Sequence, residues 1–388
     1  MSYARTSLKG VTIYDSSDAY HGYTLITPVE GQCAWLIDMM GRLVNRWTTR
    51  FQAGWGAQLL PNGNLLYAVR TANDPMSDIE GTYGVLLEID WDGHEVWEYA
   101  DPYLHHASCR LGNGNTLLLK WVELPDDIAS KVKGGDPGTE REGVMWGDVV
   151  QEVTPQGDVA WEWLVHEHLD PSSTPRCPVC PRTTWTHANS VAEALNGDVL
   201  ISLPFSNTIA IIDKTTGHVT WQWGDGEIAH QHSATMLDNG NVLVFDNGYH
   251  PYGFSFAFSR VIEIDPGDNK ICWTYGGGKI AADFYSSVMG TCQRLPNGNT
   301  LINEATSGRV FEVSTTCEIV WEFSNHLPSY EPYPAQTRSH MVYSAYRYGM
   351  EYPGLKGAVK QAVVAQLAPG TSEAEEEAVK TRLERLGY

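Results

Sequence analysis

No stretch of the 388-residue chain stays apolar over the roughly 18 positions that a membrane-spanning helix needs. The N-terminal segment MSYARTSLKGVTIYDSSDAY lacks the apolar core of a secretory signal. Basic residues are scarce: 26 Lys and Arg face 47 Asp and Glu, a net charge of −21. Such a field repels phosphate backbones and anionic lipid, which argues against nucleic acid and membrane surfaces as partners. Cysteine is sparse and odd in number, seven residues without paired spacing, which fits a reducing compartment. The expectation is a cytoplasmic protein whose partner is a small-molecule substrate, with self-association left open. There is no phosphate-binding glycine loop and no serine nucleophile elbow; the glycines at 276–278 read as a connection between repeats.

What the chain has is β-forming and turn-forming residues, with 14 Trp, 19 Tyr and 37 Gly. Five segments place an Asn-Gly turn between apolar runs: LLPNGNLLY (59–67), RLGNGNTLLL (110–119), ALNGDVLIS (194–202), MLDNGNVLVF (236–245) and RLPNGNTLIN (294–303). Asn-Gly accepts the positive φ values of a tight hairpin turn, so each segment predicts a hairpin. After each hairpin come an E-I-D-like strand, a second turn, and a strand carrying tryptophan, as in LLEIDWDGHEVWEY and VFEVSTTCEIVWEF. Together with the leading CAWLIDMMGRLVNRW these supply six recurring tryptophans, Trp47, Trp97, Trp161, Trp221, Trp273 and Trp321, expected to pack between units. Six four-stranded units make an all-β, six-bladed β-propeller.

The first unit lacks its innermost strand, and RSHMVYSAYRYG (338–349) is an alternating strand without a partner. Ring closure by the C-terminal strand in blade 1 solves both problems and removes the last exposed edge. The expected organisation is a propeller over 1–350 and a C-terminal helical extension over 351–388, docked on it. Within the extension, Ser372 and Glu375 form a capping box that opens a helix to about Leu386.

The first and third connections of each blade are short, whereas the long insertions (70–84, 121–147, 165–185, 224–229, 247–259 and 276–287) all leave from the opposite face. Long loops on a rigid scaffold carry function, so binding belongs to that decorated face. Histidines fall there too. His106, His187, His232 and His340 stand near the starts of the inner strands of blades 3, 4, 5 and 1, and are expected to converge on the channel mouth. Asn189 follows His187 by two and shares its strand face. Trp55, Tyr285 and Arg260 can reach the same mouth, the arginine as a bidentate partner for an anionic group or in a salt bridge with a loop carboxylate.

At this point the motifs bear comparison with a family. H-A-N-S at 187–190, Q-H at 231–232, F-D-N-G at 245–248, S-R-V-I-E at 259–263 and the closing VYSAYRYGMEYPGL resemble bacterial arylsulfotransferases. The resemblance implies an enzyme in which a histidine takes a sulfuryl group from one phenol and hands it to another. Carried over motif by motif, it makes His187 and Asn189 ligands of substrate oxygen, His232 an acid/base, and Arg260 a holder of the sulfuryl group. The family's late nucleophilic histidine has no counterpart, because 289–322 contains no histidine. The nucleophile would then be His232 or His340.

Three functions are therefore carried forward. The first is arylsulfotransferase-like transfer on a small aromatic or anionic substrate, by histidine nucleophilic or acid/base chemistry. The second is a lyase, hydrolase or dehydratase, with a metal on the axis if the four histidines hold one. The third is a binding propeller without catalysis. No cofactor is required by any motif. Separately, His166, His168, Cys177 and Cys180 give H-x-H followed by C-x-x-C in the 165–185 loop, an acceptable structural zinc set. The bland reading of that loop is surface histidines and an unmetallated C-x-x-C.

Overall fold

A computed structural model describes residues 9–71, 75–251, 258–277, 283–327 and 340–356. The helix expected over 372–386 lies outside the described residues. The remainder forms six antiparallel sheets, each a blade of four strands running outward from the channel. The inner strands are Val342–Gly349, Gln52–Leu59, Leu104–Arg110, Ser190–Glu193, His232–Met236 and Thr291–Arg294, for blades 1 to 6 in that order. Each neighbours the next, and the last neighbours the first. Among the described residues no helix is long and apolar enough to cross a membrane.

Closure occurs as expected. Val342–Gly349 pairs antiparallel with Gly22–Pro28, setting Ile26 against Ala345 and Thr24 against Arg347. A second closing strand was not foreseen. Gly10–Tyr14 adds a fifth strand to the outer edge of blade 6 by pairing with Ile319–Ser324. Both ends of the propeller sequence thus lie on the two sides of one seam, between blades 6 and 1.

The repeat motif has a physical job at the blade joints. In N-G-N the two asparagines donate to a glutamate on the third strand of their own blade: Asn62 and Asn64 to Glu88 Oε1, Asn113 and Asn115 to Glu152 Oε1, Asn239 and Asn241 to Glu263 Oε1. The other carboxylate oxygen takes a cation from the following blade. Arg110 reaches Glu88 at 3.0 Å, Arg294 reaches Glu263 at 2.8 Å, and Lys214 pairs with Glu152. At the seam, Asn299 donates to Glu312 Oε1 while Arg347 from the closing strand meets Oε2 at 3.2 Å. Blades 1 and 4 carry Leu36 and Ile211 at the glutamate's register and lack the clamp.

The tryptophans supply a second repeated joint. An indole N–H on the outer strand donates to the third turn of the next blade: Trp47 to Asp90 O, Trp97 to Pro155 O, Trp221 to Asn269 Oδ1, and Trp321 across the seam to Met39 O. In blade 3 the donor is Trp163, to Gly217 O, rather than Trp161, whose ring lies 5.9 Å from the Lys214 ammonium. Trp163 stands at the register of Trp47, two residues beyond that of Trp97.

Arg347 and Glu312 are both fully buried, and Arg347 also donates to Thr24 and to Tyr20 O. Removing one partner leaves an uncompensated buried charge. Glu312→Ala is expected to destabilise the fold by about 3–5 kcal/mol, and pairing Glu312→Leu with Arg347→Met to recover most of that loss. Equilibrium urea unfolding checks both.

Candidate functional site

Counting seven residues back from the turn asparagines Asn62, Asn113, Asn196, Asn239 and Asn297 reaches Trp55, His106, Asn189, His232 and Gly290. All five line one cavity of about 410 Å³ in the central channel. Local backbone geometry aims them. Left-handed φ values occur at Gly56 (98°), His106 (52°), His187 (58°), Ser233 (56°) and Met289 (57°), one at or before each of five inner strands. In blades 2, 3 and 5 these accompany a break in strand register, a β-bulge that re-aims side chains. Blade 1 contributes Tyr343, Ser344 and Tyr346 to the wall.

His232 is the best-defined group. Its Nδ1 lies 2.8 Å from Asn247 Oδ1 and 3.1 Å from His230 O. Asn247 Nδ2 donates to Ser286 O and Met289 O, which fixes Oδ1 as the atom facing the ring. His232 therefore carries its proton on Nδ1 and keeps the Nε2 lone pair. Burial pushes the ring down to about 4, against the opposing bond from Asn247, so it is neutral near pH 7.

Across the channel, Trp55 stacks near His106 with ring centroids 6.5 Å apart and donates to Thr82 O. Behind His106 is a pair that the sequence reading did not single out. His105 Nδ1 is 3.0 Å from His106 Nδ1, and His105 Nε2 is 3.5 Å from Asp148 Oδ1. His105 Nε2 makes no hydrogen bond among the described residues, so the Nδ1–Nδ1 contact is the polar link between the two rings. Burial pushes His106 down to about 3, helped by His232, and raises Asp148 to about 6 against bonds from Thr186 and Ala188. The signals in the sequence were the His-His doublet and the aspartate of WGDVV. Asn189 donates through Nδ2 to Gln231 O, while its buried Oδ1 has no partner among the described residues.

The remaining expected site residues lie elsewhere. His187 is buried one layer above, its ring 4.7 Å from that of His106 and its Nδ1 2.9 Å from Thr184 Oγ1; the wall position of blade 4 belongs to Asn189. His340 is exposed and absent from the cavity wall, its carbonyl accepting from Asn325. Arg260 is bound to Asp246 at 2.8 Å and to Glu227 O, the salt bridge rather than the anion holder. Tyr285 is half-buried, its N–H on Glu304, and does not line the cavity.

The histidines of the 165–185 loop also separate from its cysteines. His166 and His168 lie two apart in the short helix Val165–His168, a spacing that points side chains in different directions. His168 stacks on Trp163 at 4.9 Å. Cys177 and Cys180 instead meet His230 and His250, with ligand atoms all within 4.8 Å of one another. Among the described residues this is the one group of His, Cys, Asp or Glu spaced to hold a metal, so the axial histidines are not gathered around a common point.

The family model for arylsulfotransferase (ASST) matches residues 56–326, more than half of the chain. No curated protein matches the chain. Among solved structures, a protein of unknown function from Bacteroides caccae superposes with a TM-score of 0.50 at 15% identity, covering 78% of this chain and 93% of that one. A streptogramin B lyase gives a TM-score of 0.45 at 10% identity over 83% and 84% of the two chains. Virginiamycin B lyase from Staphylococcus aureus gives 0.40 at 13% over 71% of each. The first bears on fold alone, and the two lyases support no statement about this chain.

A histidine held below its ordinary value binds fewer protons folded than unfolded, so its contribution to stability is present above the unfolded value and lost as pH falls towards the folded one. For His106 that window runs from 6.5 down to about 3. Stability is expected to fall there by about 1.4 kcal/mol per pH unit for this group. Urea midpoints of His106→Gln measured from pH 7 to pH 4.5 should show a shallower slope than the parent.

Proposed function

The chain belongs to the arylsulfotransferase family, and we propose that it transfers a sulfuryl group between small phenolic molecules in the central channel. One observation carries this reading: His232 keeps an uncommitted Nε2 lone pair on a neutral ring, at a cavity lined by Trp55, Tyr343, Tyr346 and Met289. Such a ring is a competent nucleophile near neutral pH.

In this reading His232 Nε2 attacks the sulfur of an aryl sulfate. The N–S bond forms as the bond from sulfur to the aryl oxygen breaks, and the phenolate leaves. The acceptor phenol lies with its ring against the aromatic wall and its hydroxyl towards His106. His106 Nε2 takes the acceptor's proton as the acceptor oxygen takes the sulfuryl group from His232. The first phenolate takes its proton from solvent, and His106 releases the acceptor's proton to the phenolate that leaves in the next turnover, so each cycle consumes one aryl sulfate and one phenol and forms one of each. With its Nδ1–H donated to His105 Nδ1, His106 keeps Nε2 free for that step.

A second reading is favoured by one feature. Arg294, the arginine that lines the cavity, is paired with Glu263 at 2.8 Å. A cavity whose cation is already neutralised suits an uncharged substrate. His232 and His106 would then serve as acid and base in a lyase or hydrolase.

The test is p-nitrophenyl sulfate with phenol as acceptor, scored for p-nitrophenol release and phenyl sulfate formation. Transfer by the parent and a loss of roughly 10²–10⁴-fold in kcat for His232→Ala are expected. A peptide bearing His232 should gain the mass of a sulfuryl group after rapid quenching. Absence of both transfer and mass gain in the parent overturns sulfuryl transfer, and turnover of neutral phenyl esters instead points to the second reading.

A further inference from the structure

We propose that Cys177, Cys180, His230 and His250 form a closed tetrahedral zinc site that ties the 165–185 insertion to blade 5 and fixes the two groups that orient His232. The spacing argues for a metal. With Zn–S near about 2.3 Å and Zn–N near about 2.05 Å, tetrahedral coordination sets sulfur and nitrogen about 3.6 Å apart. Cys177 Sγ lies 3.5 Å from His250 Nδ1, Cys180 Sγ 3.6 Å from the same atom, and Cys180 Sγ 3.8 Å from His230 Nε2. Both cysteines are free thiols. Two thiolates and two imidazoles suit zinc, whereas magnesium and calcium want oxygen.

The surroundings are built for it. Cys177 N–H donates to Phe205 O at 2.6 Å, and Cys180 O accepts from Asp136 N–H at 2.9 Å, so backbone bonds hold the C-x-x-C turn from both sides. His230 and His250 have φ values of 55° and 53°, a region that L residues other than glycine rarely adopt without a compensating contact. Beside the sulfurs, Arg176 is buried, with Nη1 on Thr184 O, its guanidinium over Phe205, and Nε and Nη2 without a hydrogen-bond partner among the described residues. On binding, each thiol releases its proton to solvent and the imidazoles coordinate neutral, so zinc and its ligands carry no net charge.

None of the four residues lines the channel cavity, and four protein ligands leave no open position, so the zinc is structural. Its reach into the site is indirect. His232 Nδ1 is held by two acceptors: His230 O, belonging to one ligand residue, and Asn247 Oδ1, three residues before the other. His230 and Asn247 thereby become positioning residues whose backbone the metal anchors.

Untagged protein purified without chelator is expected to carry one equivalent of zinc by elemental analysis. Cys180→Ser and His250→Ala should lose it, while His166→Ala should keep it. Cobalt(II) exchanged into the parent should show thiolate-to-cobalt charge transfer with intense tetrahedral d–d absorption, a readout that survives even if the variants fail to fold. Metal-free parent with two titratable thiols, or a Cys177–Cys180 disulfide by intact mass, overturns the site. Chelation is expected to broaden the His232 Nδ1–H NMR resonance, and an unchanged resonance overturns the positioning role.

Discussion

A carboxylate shared between two blades is the interaction on which the wheel depends. Glu88, Glu152 and Glu263 each present one oxygen to the two asparagines of their own hairpin, Glu312 to Asn299 alone, and all four give the other oxygen to a cation of the next blade. The same residue thus sets the turn within a blade and the register between blades. Half-buried ion pairs of this kind add little stability by area, but each partner's burial is tolerable only when the other is present. Joints become specific rather than merely sticky. At the seam the device is fully buried, and there it also decides which strand closes the ring.

Rigidity at one rim permits irregularity at the other. The inner strands kink through left-handed residues where they start, and the kinks turn Trp55, His106, Asn189 and His232 into one cavity. Their backbone carries strain that a loosely held strand would relax. Buried in that cavity, the imidazoles of His106 and His232 are kept neutral near pH 7.

Blade number and ring closure were legible because Asn-Gly turns and recurring tryptophans repeat at fixed positions. The family resemblance read from H-A-N-S, Q-H and F-D-N-G agrees with the match over 56–326. The site was legible only in part. Its blade positions could be counted from the turns, which reaches His106, Asn189 and His232, yet bulges break the two-residue alternation that tells which side chain faces inward. His105 and His106 are adjacent in sequence and do different work for that reason. His340 was placed by analogy on a strand whose start it only precedes. The cysteine ligands were visible as C-x-x-C, but His230 and His250 come from another blade, and only the fold brings them together. Gly10–Tyr14 carries no turn signal to mark it as an outer strand.

The Asn-Gly turns also bear on how the protein ages. Asparagine followed by glycine is the pair most prone to losing its amide, and here the amides of Asn62, Asn113 and Asn239 rest on glutamates. Each loss would set a new carboxylate against an existing one at a blade joint. Chemical wear would therefore accumulate at the blade joints, loosening the wheel turn by turn while the histidines stay intact.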